Sequence, residues 1–256
     1  MSSVPPRVVS VHDMAGEGRS RAGNRVPGPT VARLPLYHRA LSVMAERGVT
    51  QISSVELAAA VGVNPATLRR DLSRFGTYGT RGTGYEVPRL LARVDGALAL
   101  DREWPVAIVG VGNLGRALAR SRGFRSGGFR VAVLADIDAS VVGTMVDGVV
   151  VEHLARLGEA CAREQVRIGV VTTPASVSQS VAERLVAAGV RSILNFAPVV
   201  LAVPEEVTVR QVDLAAELQV LAFYRSRHGG ALDAAGEAGD PAPGGDVAAG
   251  GDAKSP

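Results

Sequence analysis

The chain is poor in cysteine, lysine and aromatic residues, and it has no long apolar run. Its 256 residues hold one cysteine, Cys161, which excludes an internal disulfide and a Cys-rich metal site within the chain. A single thiol of this kind is read as a small core residue. Aromatics make up 4% against 46% hydrophobic residues overall, so the cores must be aliphatic, built mostly from Val, Leu and Ala. No apolar run approaches the roughly 20 residues of a membrane span. The first residues, "MSSVPPRVVSVHDMAGEGRS", lack the apolar segment of a signal peptide. The expectation is a cytoplasmic protein with no membrane partner.

What is present is unevenly spread. The length suffices for two modest domains with real cores. Residues 1–90 hold 12 Arg and 6 acidic residues, a net of +6, whereas residues 91–256 hold 16 cations and 19 acids, a net of −3. Lys254 is the only lysine. A basic N-terminal third on an acidic remainder suits a chain with one end on a polyanion, although a solvated basic surface has the same composition. Residues 1–29 are rich in Gly, Pro, Ser and Arg without periodicity and read as a disordered tail, as does "HGGALDAAGEAGDPAPGGDVAAGGDAKSP" over 228–256. Between them lie a helical pattern over 30–90, a connecting helix and linker over 91–104, and βαβ alternation over 105–212.

In the N-terminal pattern, Leu34, Tyr37, Leu41 and Met44 mark one face of a first helix ending near Gly48. A second helix follows in "SSVELAAAVGVN", with Ser54 as its cap and Leu57, Ala58 and Val61 inward. Gly62-Val63 makes a tight turn, Asn64 suits an N-cap and Pro65 the first helical position. The third helix, "PATLRRDLSRF", puts Leu68, Leu72 and Phe75 on the core. Thr67, Arg70, Ser73 and Arg74 lie on its other face, with Arg69 at the flank. Two short helices around a tight turn, the second displaying Arg, form a helix-turn-helix whose second helix fits a major groove; a generic helical hairpin with a basic face is the alternative. With Arg39 of the first helix, these residues are the candidate DNA contacts. The next stretch, "TYGTRGTGYEV", has no helix behind it. It reads as two short strands around a turn, the wing of a winged helix-turn-helix, with Arg81 near its tip.

A second glycine cluster, "VAIVGVGNLGRALA", differs in context. A short strand over Val106 to Val109 runs into Gly110, Gly112 and Gly115, and a helix follows. In a dinucleotide loop the first glycine permits the tight turn, the second lets the pyrophosphate approach and the third packs helix on strand. Val111, Asn113 and Leu114 complete the candidate phosphate loop. The next strand, in "FRVAVLADID", ends at Asp136, where a carboxylate accepts from an adenosine ribose and repels a 2′-phosphate, favouring NAD(H) over NADP(H). Asp138 competes for this role. Further strands lie in "GVVVE", "VRIGVVTTP", "RSILNFAP" and "VTVRQVD". Their ends bring Thr172, Thr173 and Pro174, then Asn195 and Ala197, then Asp213 to the nicotinamide half of the crevice. Thr172 and Asn195 have a second reading, as caps of the segments that follow.

The pattern lacks the parts of an enzyme. His153 starts a helix far from the nicotinamide end, His12 and His228 lie in or beside the tails, and His38 is in the basic domain. No substrate domain follows the nucleotide fold. The last helix, "LAAELQVLAFYRSR" over 213–227, is apolar on more than one face, through Leu214, Leu218, Leu221, Phe223, Val220 and Ala222. It is expected to bury itself against a second copy of the chain.

In "NPATLRRDLSRFGTYGTRGTGY", "VGVGNLGRALA", "ADID", "ILNFAPVVL" and "VDLAAEL" the chain resembles the Rex family of redox-sensing transcriptional repressors over about residues 30–226. The resemblance implies a fold of three parts: a winged helix-turn-helix, an α/β doubly wound parallel (Rossmann) sheet, and a C-terminal helix swapped in a homodimer. It implies NADH and NAD⁺ as ligands and an A·T-rich inverted-repeat operator as partner, held when NADH is low and released by NADH, at respiratory or fermentative genes. Arg70 and Arg81 would contact DNA. Gly110, Gly112, Gly115 and Asp136 would hold the dinucleotide, with Asp213 near the nicotinamide or the domain interface. Ser121 departs from the family, many members of which carry a Tyr there. Two rivals are an NAD-dependent oxidoreductase fused to a DNA-binding module and a CoA- or nucleotide-binding regulator.

Overall fold

The computed structural model describes residues 26–76 and 84–233. Helix α1 (Gly28–Glu46) buries Leu34, Tyr37 and Leu41, as their spacing predicts, and it begins inside the stretch expected to be tail. Strand β1 (Gln51–Ile52) precedes α2 (Ser54–Val61) and α3 (Pro65–Ser73). The cap of α2 is Ser53 rather than Ser54. The Ser53 hydroxyl accepts from the Glu56 N–H at 3.1 Å while the Glu56 carboxylate accepts from the Ser53 N–H at 2.9 Å. This reciprocal box needs the acid three residues after the cap, which only Ser53 has. Asn64 caps α3 by accepting from the Ala66 N–H at 2.8 Å, as expected.

The loop expected to turn the wing, with Arg81, lies outside the described residues over 77–83. The chain returns as β2 (Tyr85–Glu86), which pairs antiparallel with β1. Gly84 sits at φ +82°, and a Cβ there would lie 2.3 Å from the Ile52 carbonyl oxygen. Steric room at this strand pair therefore requires this last glycine of the cluster.

A helix does follow the glycine stretch, contrary to the expectation. Helix α4 (Val87–Leu98) starts immediately, with a proline in its first turn, and runs into the segment read as a connecting helix and linker. Val87, Leu90 and Val94 are buried in the core with Leu34, Tyr37, Leu57 and Leu68. Their 3–4 spacing was masked because Val87-Pro88 reads as a strand end, whereas proline is tolerated in a first helical turn.

The rest of this unit is a seven-stranded sheet. Its elements are β3 (Trp104–Val109), α5 (Asn113–Ala119), α6 (Arg122–Ser126), β4 (Phe129–Asp136), β5 (Met145–Val146), β6 (Val149–His153), α7 (Leu157–Arg163), β7 (Ile168–Val171), α8 (Ala175–Ala187), β8 (Ser192–Asn195) and β9 (Thr208–Gln211). The order is β5-β6-β4-β3-β7-β8-β9, all parallel except for the β5 edge strand. Alternate residues of β3 enter opposite cores. Ala107 and Val109 pack with α7 and α8, including Cys161, and Val106 and Ile108 pack with Ala119 and Phe124 of α5 and α6. Burial on both faces explains the unbroken aliphatic runs. The expected helix alternation fails twice: β4 reaches β6 through the short strand β5, and residues 196–207 join β8 to β9 without a helix.

A second unit starts at Asp213. Its helix α9 (Leu214–Asp233) runs six residues beyond the expected end.

Candidate nucleotide and DNA sites

The strand order changes direction between β3 and β7, which leave the middle of the sheet toward opposite edges. Ligands of open parallel sheets bind at such a switch point, beyond the carboxyl ends of the strands. Here the glycine loop ends β3, and Thr172 follows β7. Gly110 has φ +97°, and a Cβ on it would meet the Thr172 carbonyl carbon and Thr173 Cγ2 at 2.9 Å. A Cβ on Gly115 would lie 2.0 Å from the Gly110 carbonyl oxygen, so α5 packs on the loop only with hydrogen at that position. A Cβ on Gly112 would meet nothing within 4 Å. The three glycines thus divide into two that the fold requires and one that faces open space. Val111 is buried, whereas Asn113 and Leu114 are exposed at the start of α5.

Asp136 reaches the loop from the end of β4. Its Oδ2 accepts from the Val111 N–H at 2.6 Å, and Oδ1 accepts from the N–H groups of Ile137 and Asp138 at 2.7 and 3.0 Å. Asp138 is turned elsewhere: its Oδ1 accepts from the Ser140 N–H and hydroxyl at 2.8 and 2.7 Å, and these bonds hold its carboxyl below the usual range. Thr172 ties β7 to the loop rather than capping α8. Its hydroxyl lies 2.6 Å from the Gly110 carbonyl and 3.0 Å from that of Val109. Thr173 Oγ1 is buried without a hydrogen-bond partner among the described residues. Pro174 is exposed as the N-cap of α8.

Two of the expected contact residues lie inside the fold. Asn195 is completely buried, and its amide is consumed inside the loop after β8. Nδ2 donates to the carbonyls of Ala197 and Val199 and to Gln211 Oε1, and Oδ1 accepts from the Ala197 N–H. Ala197 is buried with it. Both shape the loop from within, in line with the capping alternative for Asn195. Asp213 lies two residues past β9, and its carboxylate caps α9 by accepting from the Ala215 and Ala216 N–H groups at 3.0 Å. His153 also caps, with Nδ1 accepting from the Ala155 N–H at 3.2 Å. Ser121 is the N-cap residue of α6 and makes no side-chain cap bond there. Sequence reasoning missed Arg116, whose Nε donates to the Val111 carbonyl at 3.0 Å and ties α5 to the loop.

On α3, Arg69, Arg70 and Arg74 are exposed, and Thr67 and Ser73 are half-buried. Arg69 donates to the Ser54 hydroxyl at 3.0 Å, and the Ser73 hydroxyl to the Arg70 carbonyl at 2.8 Å. Arg39 is exposed on α1. Sequence reasoning also missed Asp71. It is 1% exposed on the opposite side of α3 and hydrogen-bonded to Thr30, Arg33 and Tyr37. Its place between Leu68, Leu72 and Phe75 on the apolar face was the available signal, and so was a core tyrosine whose hydroxyl needs a partner.

A parallel sheet in this order, with a glycine loop at its switch point and an acid ending the second strand, is a dinucleotide-binding fold, here preceded by a helical DNA-binding domain with a helix-turn-helix. Residues 25–73 match the family described as "Putative DNA-binding protein N-terminus", and residues 101–199 match the CoA binding domain. The redox-sensing transcriptional repressor Rex of Streptomyces griseus is 55% identical over 216 residues, 84% of this chain and 85% of that protein. Its namesake in Streptomyces coelicolor is also 55% identical, over 84% of each chain. The solved structure of RSP in complex with β-NAD⁺ and operator DNA superposes with a TM-score of 0.77 at 33% identity, over 85% of this chain and all of that one. RSP in complex with β-NADH gives 0.73 at 31% identity, over 82% and 97%. The chain belongs to the Rex family of redox-sensing transcriptional repressors.

Proposed function

We propose that this chain is a DNA-binding repressor that senses the ratio of NADH to NAD⁺ in the cytoplasm, and not an enzyme. It holds an A·T-rich inverted-repeat operator when NADH is low, and NADH releases it, at genes of respiration or fermentation. The observation that carries this reading is the joining, in one chain, of a helix with an exposed Arg face to a dinucleotide crevice at the switch point. The pyrophosphate approaches at Gly112, where there is open space, beside the N–H groups of Asn113 and Leu114. A carboxylate offers about four acceptor sites. Asp136 has three in use, which leaves one on Oδ2 for a ribose hydroxyl. The same negative charge repels a 2′-phosphate. The unpaired Thr173 hydroxyl, buried at the loop, suits a ligand polar group. Bound NADH or NAD⁺ would supply the redox signal, since the two differ by a hydride and one positive charge at the nicotinamide. Arg39, Thr67, Arg69, Arg70, Ser73, Arg74 and Arg81 meet the DNA. Support for a regulator over an enzyme comes from the relatives, which are described as redox-sensing transcriptional repressors.

Helix α9 pairs with its copy in a homodimer, swapped between protomers. Leu214, Leu218 and Leu221 share one stripe and are each more than 60% exposed in the single chain. A dimer lets two recognition helices read the two halves of an inverted repeat.

Operator binding titrated with NADH at fixed NAD⁺ tests the proposal. Release by NADH, and none by equal NADPH, is expected; operator binding indifferent to NADH refutes it. The family match over residues 101–199 favours a second reading, a CoA-binding regulator. Thermal stabilisation by CoA in preference to NADH would establish that one.

A further inference from the structure

The buried carboxylate of α3 has no part in the function so far, yet it sits between two DNA-facing arginines in the sequence. Asp71 Oδ1 accepts from the Thr30 hydroxyl at 2.8 Å and from Arg33 NH2 at 2.9 Å. Oδ2 accepts from Arg33 Nε at 2.6 Å and from the Tyr37 hydroxyl at 2.7 Å. All four acceptor sites are filled. The three donor residues, spaced 3 and 4 apart, form one stripe along α1. Leu68 and Leu72 hold α3 against the same core, but apolar contact has no direction and leaves a helix free to roll slightly. A bidentate guanidinium and two hydroxyls on one carboxylate set both the roll and the axial position. A roll of about 10° moves atoms at the helix's outer radius of about 6 Å by about 1 Å. That shift is enough to spoil a bidentate hydrogen bond to a base edge. It is too small to matter for a diffuse phosphate field.

We propose that Asp71, held by Thr30, Arg33 and Tyr37, is a positioning residue for operator specificity: it sets the roll of α3 so that Arg69 and Arg70 meet base edges. This rests on the reading of α3 as the recognition helix. Affinity for random DNA follows the number of phosphate contacts and not this network.

The test uses the full chain, an inverted repeat that it selects from a randomised duplex library, and a random duplex of equal length. Both affinities are measured across a salt series for Tyr37→Phe, Thr30→Val, Thr30→Ser and Arg70→Ala. The first two variants should lose about five- to tenfold in the ratio of operator to random affinity, with random binding and its salt slope unchanged. Thr30→Ser keeps the hydroxyl and should keep the ratio. Equal losses on both duplexes with a lowered Tm would mean the network only stabilises the fold, and would overturn the proposal. So would an unchanged ratio in Tyr37→Phe and Thr30→Val while Arg70→Ala loses operator affinity; that result leaves the recognition helix intact. Wild-type operator binding by Arg70→Ala would instead refute the recognition helix itself.

Discussion

Single atoms decide the glycine loop. The Gly115 position has no room, because an added Cβ would stand 2.0 Å from the Gly110 carbonyl oxygen. Backbone must then move, and Gly115→Ala should destabilise the sheet domain by about 1–3 kcal/mol or more. Gly112 faces open space, so Gly112→Ala should fold with a normal Tm and yet lose at least tenfold in NADH affinity, since the methyl occupies the approach of the pyrophosphate. Thermal melts with and without NADH separate the two effects. If Gly112→Ala binds NADH as the wild type does, the pyrophosphate lies elsewhere. Asp136 and Asp138, two residues apart, are told apart in the same atomic terms: one carboxylate is aimed at the loop, and the other is satisfied by Ser140.

At the scale of elements, α1 and α3 are joined by a network that titrates. Burial first, and the bond to Asp71 second, push the Tyr37 phenol from its ordinary 10.0 up to about 12. The folded chain keeps this proton after the unfolded chain has lost it. The contribution is therefore complete below pH 10 and is lost as pH rises from 10 to about 12, an effect of roughly 2–3 kcal/mol. Burial alone would raise the Asp71 carboxyl, but hydrogen bonds from Arg33, Tyr37 and Thr30 outweigh it and hold it below its ordinary 3.8. Its contribution is present above that value and is lost as pH falls through the lowered one. Denaturant unfolding followed by circular dichroism from pH 9 upward should show the wild type losing stability more steeply than Tyr37→Phe. Parallel curves would place the tyrosine outside the network.

At the scale of the molecule, the exposed apolar stripe of α9 calls for a cover. A stripe of Leu214, Leu218 and Leu221 this exposed, with Phe223 and Tyr224 also exposed, is unusual on a lone helix. Leu218→Asp with Leu221→Asp should convert a dimer to monomers in sedimentation. It should weaken operator binding by roughly 10²–10⁴-fold, because the second half-site is no longer bound as part of one molecule. A dimer that survives both substitutions would move the interface away from α9.

Much of this was legible in one dimension because it depends on near neighbours in the chain. The helix-turn-helix, its Asn64 cap, the glycine loop after β3 and the acid ending β4 each reduce to a period, a cap or a fixed spacing. The connecting helix was expected, but the start of α4 was hidden where Pro88 made it look like a strand end. Sequence left open the choices that depend on distant partners. The sequence left open where the Asn195 amide turns, and Ala197, Val199 and Gln211 bind it to its own loop. Asp136 prevails over Asp138 at the glycine loop because its Oδ2 reaches the Val111 N–H, 25 residues earlier. Asp71 looked like one more polar residue of a basic helix until Thr30, Arg33 and Tyr37, 34 to 41 residues away, closed around it. Periodicity reports which face of a helix is apolar, but a buried polar group takes its role from its hydrogen-bond partners, and folding alone brings those together.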